Sequence, residues 1–174
     1  YDVVKTRLSF MLRYDVDGSV TDVMRIALLK KTQERPEDAL FAELLVWFAL
    51  QMKDYEMALN QEIAIDRRMN DREYDIIYLA RIARDNEQYD VAITAYDYLI
   101  KKSKEGAYYP EAVVGLTEVQ YVKSEIDGNS DYDFYSEFEK RIENECLELG
   151  INDKTVPILI IRAEILAFKL DDNE

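Results

Sequence analysis

Arg13, Trp47 and Arg81 stand at equal intervals, each 34 residues after the last, and Arg84 follows one helical turn beyond the third. Those types can do recognition chemistry. A guanidinium is a planar fork for carboxylates, and an indole is a large rigid contact surface. Together they suit a partner that carries acidic and apolar groups. The other reading is that the arginines pair with the chain's own acids and Trp47 is core.

A second candidate is DGNSDYD, Asp127 to Asp133. Oxygen-bearing side chains alternate at Asp127, Asn129, Asp131 and Asp133, as at the start of a calcium loop. Tyr132 stands where such a loop needs glycine for its bend, and no glutamate stands at the twelfth position. An acidic turn ending in a helix N-cap accounts for the same residues. DVDGSVTD, Asp15 to Asp22, reads as a helix stop at Gly18 followed by capping residues Ser19 and Thr21.

Catalytic constellations are missing. The chain has no histidine and one cysteine, Cys146, which removes Ser/His and Cys/His arrangements and any internal disulfide. There is no phosphate-cradling glycine loop and no metal-spaced cysteine set. The expectation is therefore a non-enzyme without cofactor or metal. A net charge of −14 opposes binding to nucleic acid and to anionic membranes. The longest apolar run, Ala39 to Leu50, is too short to span a bilayer and contains Glu43. Tyr1 opens directly into an amphipathic pattern, so the chain is expected to be a piece of a longer or processed protein, its compartment left open.

What must position these residues is helix. Apolar residues make up 48% of the chain, while five glycines and three prolines are too few for the turns of an all-β fold. Helical periodicity covers about 2–16, 19–34, 37–53, 55–69, 71–86, 88–103, 109–125, 132–149 and 155–170. Short connections between successive helices imply antiparallel hairpins. Within them a tyrosine–alanine pair recurs: Tyr55 and Ala58, then Tyr89 and Ala92.

A 34-residue period of paired helices resembles the tetratricopeptide repeat. The window 73–106 carries the family's pattern with Ile76, Leu79, Ala80, Ala83, Tyr89, Ala92, Tyr96 and Leu99. The window 39–72 does so with Ala42, Leu45, Val46, Ala49, Tyr55, Ala58 and Ile65, but Glu62 replaces an aromatic. The window 5–38 matches more loosely, through Leu8, Met11, Leu12, Met24 and Leu28, and Pro36 falls at the family's proline position. After Gly106 the register slips by three, giving a fourth repeat over about 110–149 and a capping helix over 155–170. A plain helical bundle is the competing fold.

The resemblance implies an all-α superhelix of stacked antiparallel helix hairpins over residues 1–174, forming a single domain. It also implies a concave groove that binds a protein or peptide partner. Positions 2, 5, 9 and 12 of each first helix would face that groove, among them Arg13, Glu43, Trp47, Tyr74, Ile77, Arg81, Arg84, Glu118 and Tyr121. Some family members hold a peptide's terminal carboxylate with lysine and asparagine at positions 5 and 9. Here position 5 is Ser9, Glu43, Ile77 and Val114, and no asparagine stands at position 9. The alternative is a structural or oligomerisation segment of a longer repeat protein whose activity lies in another domain.

Overall fold

The computed structural model describes residues 2–170. Among them all regular structure is helical: α1 (Asp2–Arg13), α2 (Ser19–Glu34), α3 (Ala39–Gln51), α4 (Tyr55–Met69), α5 (Glu73–Asp85), α6 (Tyr89–Lys102), α7 (Tyr109–Ile126), α8 (Tyr132–Leu149) and α9 (Val156–Phe168). Among the described residues no helix is long and apolar enough to cross a membrane. The chain divides into two compact units, one ending at Asp75 and the other beginning at Ile76.

Local chemistry sets several helix starts. The carboxylates of Asp38, Asp54 and Asp131 accept from the first-turn amides of α3, α4 and α8, meeting donors that the helix itself cannot. Helix α1 ends at Arg13 rather than about residue 16 because the residues after it cap α2. Gly18 takes the left-handed conformation, with φ 77°. Asp15 accepts from the amides of Val20 and Thr21, and Asp17 from that of Ser19. Aspartates therefore do the capping expected of Ser19 and Thr21.

One helix end is built three times. At the close of α3, Asp54 N–H bonds Ala49 C=O while Lys53 N–H bonds Leu50 C=O. At the close of α5 the same two bonds run from Gln88 to Ala83 and from Glu87 to Arg84, and after α7 from Asn129 to Ser124 and from Gly128 to Glu125. Lys53, Glu87 and Gly128 each sit at positive φ, between 57° and 66°. This is the Schellman arrangement, which satisfies the last carbonyls and turns the chain sharply. Its first two copies are 34 residues apart.

In the first unit α3 packs on both α2 and α4. Contact on two sides explains why ALFAELLVWFAL is apolar almost all round. Its core joins Met24 and Leu28 of α2 to Leu44, Leu45 and Phe48 of α3, with Leu8 and Leu12 of α1 at the margin. Helix α1 has no buried residue of its own. In the second unit α6 packs on α7, and α9 lies against both α7 and α8. Tyr135, Phe138, Ile142 and Cys146 of α8 meet Ile158, Ile161 and Ile165 of α9. Ala58 in α4 and Ala92 in α6 are both fully buried. Where α7 meets α6, Gly115 abuts the Tyr96 ring so closely that a Cβ would come 2.5 Å from its Cζ.

Candidate binding surfaces

In the second unit, α5 and α7 are joined by two ion pairs. Arg81 donates through Nε to Glu111 Oε1 at 2.5 Å, and Arg84 Nη1 lies 3.5 Å from Glu118 Oε2. Arg84 Nε also donates to Asp85 at 3.1 Å. Burial holds the Glu118 carboxyl above its ordinary range, although Arg84 acts in the opposite direction. All four side chains remain partly open to solvent, so the pairs are exchangeable contacts worth little individually. Tyr121, further along α7, packs beside Phe138 and the α8–α9 core. Its hydroxyl is pushed well up, first by burial and then by its hydrogen bond to Glu164.

Ile77 departs from the expected stripe: it is 0% exposed and offers no surface to a ligand. Its neighbour Ile76 is equally buried, because the buried face of α5 is broad and takes in Ile76, Ile77, Leu79, Ala80 and Ala83 together. The sequence stripe thus reduces, in the second unit, to Arg81, Arg84, Glu118 and Tyr121, together with Glu111, which stands on the same stripe and pairs with Arg81.

The first unit holds the remaining candidates in different surroundings. Arg13 closes α1 and is exposed. Tyr74 is exposed as well. Trp47 is half-buried and packs against the α2–α3 core, so part of its ring serves packing. Glu43 pairs with Arg72, which also lies 3.3 Å from Asp75 and 3.4 Å from Asp71. Behind this network sits Glu62 of α4, 6% exposed, with an Oε2 atom that has no hydrogen-bond partner among the described residues. Burial, then the charge of Asp75, pushes its carboxyl up to about 7, while Arg72 acts in the opposite direction. Asp66, one turn on, accepts from the Arg72 amide at 2.9 Å and so fixes the loop that carries the guanidinium.

Neither Arg72 nor the buried state of Glu62 is marked out by sequence reasoning. The one available signal is a carboxylate at a position where the repeat pattern calls for an aromatic.

The Asp127–Asp133 loop uses its oxygens on itself. Asn129 Oδ1 accepts from Asp131 N–H at 2.9 Å, and Asp131 Oδ1 accepts from Asp133 N–H at 2.9 Å at the start of α8. No group of three or more Cys, Asp or Glu among the described residues is placed to hold a metal ion. No family model, curated protein or solved structure matches the chain.

Proposed function

We propose that the chain is a non-catalytic, tetratricopeptide-like scaffold that binds a protein or peptide partner, using in its second unit the α5–α7 surface around Arg81, Arg84, Glu111 and Glu118. The observation that carries this reading is the helix end at Lys53, rebuilt 34 residues later at Glu87 with the same two hydrogen bonds and the same positive φ. An L-residue with a side chain enters that conformation at a cost. Its recurrence at the sequence period supports a repeated helix pair rather than a bundle of unrelated helices. Repeats of this kind bury their apolar faces on one another and leave first-helix stripes as binding surface.

The ion pairs on that surface define the partner's chemistry. Arg81 and Arg84 already face glutamates, so a purely acidic ligand must compete with Glu111 and Glu118. A segment carrying both signs of charge can exchange with the pairs without leaving either charge unmatched. Binding by the parent chain and by the Arg81→Ala/Arg84→Ala double variant, with folding checked by circular dichroism, tests this. A loss of about 1–2 kcal/mol is expected for half-exposed charges at an interface rim. Undiminished binding by the variant would refute it.

The same ion pairs favour a second reading. If they persist, the arginines hold α5 to α7, and the chain is a structural segment of a longer repeat protein. The double variant would then lose stability rather than a partner.

A further inference from the structure

The second unit carries a cleft of about 430 Å³ lined by α6, α7 and α8, within the roughly 300–1,000 Å³ typical of small-ligand sites. The cleft is separate from the α5–α7 surface, and its chemistry does not depend on the proposed scaffold function. One wall is apolar: Ile93, Phe134 and Phe138. Phe134 packs edge-on against Phe138 at 5.7 Å yet stays 37% exposed, presenting ring to the opening.

The polar lining is unbalanced. Both of its cations already have acids of their own: Lys123 pairs with Asp90, and Arg141, whose guanidinium lies 4.4 Å over the Phe138 ring, faces Glu145 at 3.5 Å. Its acids are less well served. Glu137 has no ion pair or hydrogen bond to any described residue, and Asp127 lies within electrostatic reach of Lys123 without an ion pair. The Gln120 side-chain oxygen is buried and has no partner among the described residues. The cleft therefore offers two open carboxylates without ion pairs, Glu137 and Asp127, next to aromatic rings.

We propose that this cleft binds a small amphipathic amine. Its apolar or aromatic body would rest on Ile93, Phe134 and Phe138, and its ammonium would lie beside Glu137 and Asp127. Aromatic faces attract cations, and a chain of net charge −14 concentrates them near its surface. An anion of the same shape must instead displace Asp90 or Glu145 to reach a positive charge.

The test is titration of the whole chain with phenethylamine, monitored by amide and side-chain NMR shifts. 3-Phenylpropionate, a similar body carrying a carboxylate, and spermidine, ammonium groups without a ring, are run in parallel. The expected result is one saturable phenethylamine site that shifts the Gln120 side-chain amide and the Phe134 backbone. Glu137→Gln and Phe134→Ala should each weaken it about threefold or more. 3-Phenylpropionate should leave these signals unmoved. Three results would overturn the proposal: 3-phenylpropionate binding as tightly, spermidine reproducing the same shifts, or both variants binding phenethylamine like the parent.

Discussion

Replacing Glu62 with glutamine should stabilise the protein above neutral pH and leave it nearly unchanged in acid. Glu62 is 6% exposed, and its carboxyl rises from the ordinary 4.5 to about 7. A carboxyl raised in the folded state keeps its proton there while the unfolded chain releases it. Stability therefore falls as pH climbs from 4.5 to about 7, and stays lowered beyond. At about 1.36 kcal/mol per pH unit, that interval is worth about 3 kcal/mol at most. The attraction of Arg72 for the charged carboxylate is already contained in that rise. Glutamine keeps the shape and cannot ionise, so Glu62→Gln should exceed the parent by about 1–3 kcal/mol near pH 8 and match it near pH 4. Urea unfolding of both proteins at the two pH values measures this directly. The difference between variant and parent cancels the other titrating acids. A stability difference that is the same at both pH values would refute the reasoning.

Packing and backbone geometry give four further outcomes. Gly115→Ala drives a methyl into the Tyr96 ring between α6 and α7 and should cost about 1–3 kcal/mol by overpacking, read from thermal or urea midpoints. Ala58→Leu and Ala92→Leu, at fully buried positions, should each cost a similar ~1–3 kcal/mol, and melts overlapping the parent's would contradict the close helix crossings. Lys53→Gly and Glu87→Gly remove positive-φ strain at the two matching helix ends and should each raise the unfolding midpoint, by about 0.5–1 kcal/mol in stability. Titration of the Asp127–Asp133 loop with calcium should show no saturable micromolar site, because Asn129 and Asp131 spend their side chains on loop and cap amides.

The helices were legible because their signals are local. Asp38, Asp54 and Asp131 stand where caps are needed, and the alternation of apolar faces marks α4, α5 and α8. Boundaries moved where a loop residue served the next helix, as Asp15 does for α2. The surface residues were legible in position but not in state. Arg84 and Glu118 are 34 residues apart and meet across α5 and α7, so that spacing sets an arginine beside an acid of the chain itself. Sequence periodicity does not say whether an arginine on such a stripe faces a ligand or that partner. Ile77 was misplaced because the buried face of α5 is broader than a single stripe and takes in a residue that a single-stripe reading leaves outside. The α6–α8 cleft had no signal at all, since it depends on which helices fail to close over Phe134.

The most direct measurement is site-specific photo-crosslinking with a benzoylphenylalanine probe placed either at Glu118, on the α5–α7 surface, or at Thr94, exposed on α6. With a purified binding partner, the scaffold account predicts a covalent adduct from position 118 and none from position 94. Equal adducts at both positions, or an adduct from position 94 alone, would contradict it.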